Sequence, residues 1–132
     1  MRVLADTNIL ISALLYPNSN PSKALMYVAE YHNLVLTDYN ITELRNVTKR
    51  KFPSKEADVD VLLSKLTYEL VAAPLSPNKL ISDPKDAPIL NAAIISGVDI
   101  IISGDKHFLN LDIEYPKVVS VIEFIKCMKS WF

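Results

Sequence analysis

The sequence predicts an α/β fold: a three-layer α/β/α sandwich around a central, mainly parallel sheet of about five strands. Three observations lead there. Short apolar runs alternate with segments of helical spacing along all 132 residues. The strand candidates are separated by helices, not two-residue turns, which implies parallel pairing through right-handed crossovers. The run Ile100-Ile101-Ile102 is continuous and β-branched, as expected where helices cover both faces of a sheet.

In chain order, residues 3–5 are too short for anything but a buried strand. Thr7 is the predicted N-cap of a helix whose apolar positions Ile9, Leu10, Ala13 and Leu14 recur every three to four residues. The turn-rich stretch 17–21 follows, with Pro21 as the first residue of a helix to about His32. A strand is predicted over 34–37. Asn40 and Glu43 have the spacing of a capping box for a helix to about Lys51, which puts Glu43 in a first helical turn. Pro53-Ser54 breaks that pattern, and the next helix, over 55–69, is predicted to bury Val59, Leu62, Leu63 and Leu66. A short strand over 70–73 leads into a turn-rich connection over 74–84. The residues Asp83-Pro84-Lys85-Asp86 then open a helix that is apolar nearly all round and ends at Gly97, a helix expected to be central and buried. The strand 100–102 ends at Ser103-Gly104-Asp105. Val118-Val119 is the last predicted strand, and Ser120 with Glu123 forms a second capping box before a terminal helix to about Trp131.

The length suits one domain, residues 1–132, and half the residues are apolar with only two glycines, so the chain is expected to be compact. The single cysteine, Cys127, excludes an internal disulfide and a multi-cysteine zinc site. Its neighbours Phe124, Ile125 and Met128 predict a packed thiol, in keeping with a reducing cytoplasm. No small-residue cleavage site follows the first apolar run, and the longest uncharged apolar stretch, 87–98, is too short to span a bilayer. A soluble, cytoplasmic protein without a membrane partner is expected. With a net charge of −1 there is no global basic field, so any nucleic-acid contact has to be local.

Four acids occupy equivalent places in this scheme: Asp6 and Asp105 just after strands, Glu43 and Asp86 in first helical turns. In open parallel sheets ligands bind outside the carboxyl ends of the strands, so residues spread over a hundred positions can meet there. Carboxylates gathered together repel unless a cation joins them. Carboxylate oxygens with water suit Mg²⁺ or Mn²⁺, whereas zinc calls for histidine or cysteine, and His32 and His107 lack ligand spacing.

Four blocks in order carry a resemblance over essentially the whole chain: Ala5-Asp6-Thr7-Asn8, Glu43-Leu44, Asp83-Pro84-Lys85-Asp86 and Ser103-Gly104-Asp105-Lys106. The sequence resembles the PIN-domain ribonucleases, in particular the VapC-like toxin components of toxin–antitoxin pairs. The resemblance implies that Asp6, Glu43, Asp86 and Asp105 are a catalytic quartet holding Mg²⁺ or Mn²⁺, with Asn8 and Ser103 as supporting polar residues. It further implies an RNA substrate cut by phosphodiester hydrolysis, a cognate antitoxin protein and a homodimer. Asp83, three residues before Asp86 and followed by Pro84, suits an N-cap or an outer supporting role. Pro88 departs from an uninterrupted helical pattern but falls in the first turn, where a missing N–H is harmless.

Five of the fourteen basic residues, Arg45, Lys49, Arg50, Lys51 and Lys55, cluster after Glu43. Glu43, Asn46 and Arg50 share one helical face, so Arg50 is a candidate RNA-binding residue, as are Lys85 and Lys106 beside the acids. A solvated helix end explains such cations equally well. Three other readings compete. A haloacid-dehalogenase-type phosphatase needs a second acid where Asn8 stands. A phospho-receiver domain needs paired acids at the first strand and an acceptor for which only Asp38 is available. A PIN-like binding or scaffold module without catalysis would have no need of the quartet.

Overall fold

The strand β1 (Arg2–Ala5) runs through the middle of the molecule, with alternate side chains committed to opposite cores. Val3 and Ala5 enter one apolar cluster and Leu4 the other, and all three are essentially fully buried. The same division holds in β2 (Asn33–Thr37), where Leu34 and Leu36 face one way and Val35 the other. It holds too in β4 (Ile100–Ile102), where Ile101 opposes Ile102. Strands buried on both faces read as continuous apolar runs because neither face can be polar. The computed structural model describes residues 1–73, 87–111 and 113–130.

With β3 (Tyr68–Val71) and β5 (Lys117–Val119), the sheet has five strands in the order β3-β2-β1-β4-β5, every pair parallel. Strand order grows outward on one side of β1 and then restarts on the other, so the β1/β4 boundary is the topological switch point. One face is covered by α1 (Thr7–Leu15), α2 (Asn20–Tyr31), α4 (Glu56–Lys65) and α7 (Val121–Ser130), with Leu44 of α3 (Asp38–Lys51) joining that core. The other is covered by α5 (Ala87–Ser96) and the short α6 (Lys106–Leu109), through Ile89, Leu90, Ala93 and Phe108. This is the expected three-layer sandwich.

Most elements fall where the sequence puts them, and the differences have local causes. Ser19, not Asn20, caps α2, with Pro21 inside its first turn. Lys55 closes a 3₁₀ turn, Pro53–Lys55, and α4 stops at Lys65, so Leu66 leaves the helix in extended backbone and β3 starts at Tyr68, two residues before the predicted strand. Gly97 ends α5 at φ +66°, a conformation that favours glycine. α5 is not buried all round: Ile94 and Ile95 are exposed, because a helix lying on a sheet buries only one side. Cys127 is exposed, on the outer side of α7, with Phe124 taking the core position. The Ser120/Glu123 capping box is present, its two bonds 3.2 and 3.4 Å long. The predicted connection 74–84, the helix opening at 83–86 and the chain end at 131–132 lie outside the described residues. Among the described residues no helix is long and apolar enough to cross a membrane.

Candidate active site

Asp6 is the first residue beyond β1, and its N–H still donates to the Ile102 carbonyl at 3.1 Å, extending the ladder to β4 by one step. Its carboxylate is the N-cap of α1, accepting the Ile9 N–H at 3.1 Å, and Thr7 is the buried first helical residue. The cap therefore lies one residue before the predicted Thr7. Two adjacent capping types compete here, and the carboxylate at the strand tip wins.

The register Ala5↔Ile102 sets Asp6 beside Ser103, the residue just beyond β4. The Ser103 hydroxyl, with none of its surface exposed, donates to Asp6 Oδ2 and accepts the Asp105 N–H at 2.9 Å. One hydroxyl thus ties together the tips of the two strands that flank the switch point. Asp105 is half-buried and close enough for its charge to act on Asp6.

Asp6 is only 2 % exposed. Burial pushes its carboxyl up to about 6, and the charge of Asp105 pushes the same way, against the lowering influence of the Ser103 hydroxyl and the Ile9 and Asn8 N–H groups. Three hydrogen-bond donors do not compensate the desolvation. A buried acid left with this deficit is suited to a cation, whose positive charge would restore the carboxylate form.

α3 is locked to this tip by a network that the sequence reading placed three residues too late. The capping box is Thr37 with Asn40, not Asn40 with Glu43. Asn40 donates its N–H to Thr37 Oγ1 at 2.8 Å, and Asn40 Oδ1 accepts from both the Thr37 hydroxyl (2.8 Å) and the Thr37 N–H (3.0 Å). Its amide Nδ2 is left to donate to Thr7 Oγ1 at 3.1 Å, in the turn beside Asp6. Thr37 and Asn40 are wholly buried. The signal was available, since threonine followed three residues later by a side-chain acceptor at a strand end is an N-cap pattern, but Asn in place of Glu or Gln hid it. Asp38, the first residue of α3, accepts the Ala73 N–H at 2.8 Å and so fastens the exit of β3 to the same sheet edge.

Glu43 consequently sits in the second turn of α3, half-buried, one turn beyond Asn40. It lines a groove of about 230 Å³ with Tyr39, Thr42, Asn46, Val47 and Arg50. Asn8 and Lys106 are exposed at the edge, in the first turns of α1 and α6. Asp83, Lys85 and Asp86 lie outside the described residues. The geometry thus brings together Asp6, Ser103 and Asp105 and sets Glu43 on the adjoining helix. Among the described residues no three acidic, histidine or cysteine side chains are gathered closely enough to hold an ion, and the fourth acid of the quartet is not one of those residues.

Comparison with known proteins follows the same lines. No curated protein matches the sequence. Among solved structures the fold is similar to a chain of VapBC2 from Rickettsia felis, crystallised bound to a DNA fragment from their promoter. The TM-score is 0.72 at 17% identity, over 91% of this chain and 98% of that one. It is similar to DNA-bound VapBC from Salmonella typhimurium, with TM-score 0.70 and 12% identity over 92% of this chain and 98% of that one. PAE2754 from Pyrobaculum aerophilum gives TM-score 0.66 and 12% identity over 98% and 90%. At such identities the likeness is one of fold. The family model described as "PIN domain" matches residues 2–107, a span that holds both strand tips of the switch point and the whole of α3. With its sheet order, its acid-bearing tips and that match in agreement, the chain belongs to the PIN domain family.

Proposed function

We propose that residues 1–132 act as one metal-dependent endoribonuclease, the toxin of a toxin–antitoxin pair, hydrolysing phosphodiester bonds in RNA with Mg²⁺ or Mn²⁺. The observation that carries this reading is the buried Asp6 carboxylate at the switch point, held by Ser103 and pushed up to about 6 with Asp105 beside it. Asp6, Glu43, Asp86 and Asp105 are the acids that would hold the ion, and Asn8, Ser103 and Asp83 support them. An ion so bound supplies charge neutralisation at the phosphoryl oxygens and an acidified water.

The chain's own contribution is positional. Ser103 fixes the Asp6 carboxylate and the Asp105 backbone relative to one another, and the Asn40 amide fixes α3, and with it Glu43, to the same turn. Packing on both sides of β1 sets the strand that delivers Asp6, which is left almost wholly buried. Hard oxygen donors at this edge favour Mg²⁺ or Mn²⁺ over zinc. The likeness to chains of VapBC assemblies supports a protein antitoxin as partner; a homodimer working in the cytoplasm completes the proposal.

The test is cleavage of single-stranded RNA by the purified protein with Mn²⁺, with chelator, and with Asp6→Asn. The reading expects metal-dependent cleavage that falls at least about a hundredfold in the variant at an equal folded fraction. Cleavage that persists in chelator, or that Asp6→Asn leaves at the parental rate, contradicts it.

A further inference from the structure

The groove along α3 has a composition that metal binding does not require. Its lining among the described residues, Tyr39, Thr42, Glu43, Asn46, Val47 and Arg50, follows the three-and-four spacing of a single helical face. Over the eleven steps from Tyr39 to Arg50 that face extends about 16 Å. Its near end is fixed at the strand tips, because Tyr39 directly precedes Asn40, whose amide bonds Thr7 beside Asp6. From there it leads away past Glu43 to Arg50.

Cations around this helix are not equivalent. Arg45 pairs with Asp60 at 2.9 Å, and Lys55 with Asp58 at 3.7 Å, so those two are partly neutralised. Arg50 is exposed, lines the groove and makes no ion pair among the described residues, although Glu43 lies two turns back on the same face. Thr42 and Asn46 are exposed between them and offer a hydroxyl and an amide, which are donors and acceptors matched to base edges. Tyr39 is half-buried: it packs against the second core, which holds it in place while leaving part of it accessible. A fixed aromatic ring, an amide and a guanidinium in file along one groove are the parts of a single-strand binding track.

We propose that this groove is a subsite for the single-stranded RNA flanking the cleaved bond. A base stacks on Tyr39, the neighbouring base edge meets Asn46 and Thr42, and a phosphate further along the strand is held by Arg50. At about 3.4 Å per stacked nucleotide the track takes roughly four or five nucleotides. The phosphate contact falls at the far end because Arg50 is the cation lining the groove. This inference rests on the ribonuclease reading and assigns it a place for the substrate along the helix that carries Glu43.

The test is binding of a fluorescent single-stranded RNA of about ten nucleotides, with chelator present to prevent cleavage, at several salt concentrations. Parent, Arg50→Ala, Arg50→Lys, Tyr39→Leu, Tyr39→Phe and, as a control cation on α2, Lys23→Ala are compared at matched folded fraction. The expected result is binding weakened about fivefold to tenfold by Arg50→Ala, with the salt slope lowered by about 0.7, and largely restored by Arg50→Lys. Tyr39→Leu weakens binding at least about fivefold at every salt concentration, Tyr39→Phe weakens it less than Tyr39→Leu, and Lys23→Ala binds as the parent does. If a parent that cleaves RNA gives the same affinity and slope in Arg50→Ala and Tyr39→Leu, the subsite is wrong and the nuclease reading stands. If those variants instead lose a protein partner while keeping RNA, the face is a protein surface and the proposal is overturned. A parent that neither binds nor cleaves RNA removes both.

Discussion

The ladder shared by β1 and β4 has an acid at each end, and the fold treats the two oppositely. Asp99, just before β4, accepts the Arg2 N–H at 2.8 Å and the Tyr115 hydroxyl at 2.5 Å. Tyr115 first, then the Arg2 backbone and guanidinium, hold its carboxyl below the ordinary value. Arg2 in turn reaches Glu69 at 2.9 Å and the Ser96 carbonyl, so the amino end of the sheet is closed by a satisfied polar network. Asp6, just after β1, also has hydrogen bonds, yet burial and Asp105 leave it raised. The two carboxylates thus differ because burial outweighs the hydrogen bonds at Asp6, whereas at Asp99 the Tyr115 hydroxyl and the Arg2 N–H outweigh a small burial cost. A buried acid with a raised pKa at a switch point is the observation on which the proposed cation site rests.

The largest effect that sharpens this contrast is an exchange of consequences between Asp6→Asn and Asp99→Asn. Asp6→Asn removes metal-dependent cleavage but stabilises the metal-free protein at pH 7 by about 1–3 kcal/mol, since a buried charge is removed while an asparagine still caps α1. The Ser103 hydroxyl can turn from donor to acceptor to meet the new amide. Asp99→Asn leaves cleavage at the parental rate and destabilises by no more than about 1 kcal/mol, because its partners are near solvent. Denaturant unfolding and a cleavage assay on both variants check the exchange, and a destabilised Asp6→Asn breaks the comparison.

The pH dependence follows with its sign. Asp6 has a raised pKa in the folded state, so between 3.8 and about 6 the native protein holds a proton that the unfolded chain has released. Its contribution therefore favours folding below 3.8 and is lost as pH rises through about 6, a change of about 3 kcal/mol in the metal-free protein. Asp99 acts the other way: its stabilisation is present above the ordinary carboxylate value and lost as the pH falls below it. Metal-free stability measured at pH 5 and pH 7 should decline with rising pH in the parent, and Asp6→Asn should flatten that decline. A parental profile without it contradicts the assignment of burial as the cause.

Ser103→Ala gives a smaller effect. It removes the donor to Asp6 and leaves the Asp105 N–H without its acceptor, so stability at pH 7 should fall by about 1–3 kcal/mol and the Asp6 carboxyl should rise further. Chemical-shift titration of Asp6 in the metal-free protein reads that shift directly. An unmoved titration midpoint means that the Ser103 hydroxyl contributes no net stabilisation to the ionised carboxylate.

Much of the fold was legible because its signals are local. The strand 100–102 and the glycine stop at Gly97 depend on runs of a few residues, and each stands where the pattern places it. The alternation of elements implied the parallel sheet, and the sheet implied that strand tips would meet. The misplacements occur where two adjacent positions carry competing chemistry. Asp6 and Thr7 are both capping types, and Thr37 and Asn40 form their box ahead of the Asn40/Glu43 pair, which moves Glu43 out of the first turn. Ile94, Ile95 and Cys127 show that apolar character does not tell which side of a helix meets the sheet. The four-residue α6 is too short to leave a periodic signal. In the site, the presence of Asp6, Ser103 and Asp105 was readable. The hydroxyl bridge was not, because it depends on the register Ala5↔Ile102 between strands almost a hundred residues apart.

The central claim is that the deficit at Asp6 is met by a divalent cation. Thermal unfolding of parent and Asp6→Asn across a Mn²⁺ and Mg²⁺ series, at pH 7.5 and at pH 5, tests it most directly. Binding only to the folded state raises stability by RT ln(1 + [L]/Kd), about 2.7 kcal/mol at a hundredfold excess over Kd. The account predicts a melting temperature that climbs with metal in the parent at pH 7.5, climbs less at pH 5 where Asp6 holds its proton, and stays level in Asp6→Asn. A parental melting temperature indifferent to millimolar Mg²⁺ and Mn²⁺ at pH 7.5, or an Asp6→Asn curve that climbs as the parent's does, would contradict it.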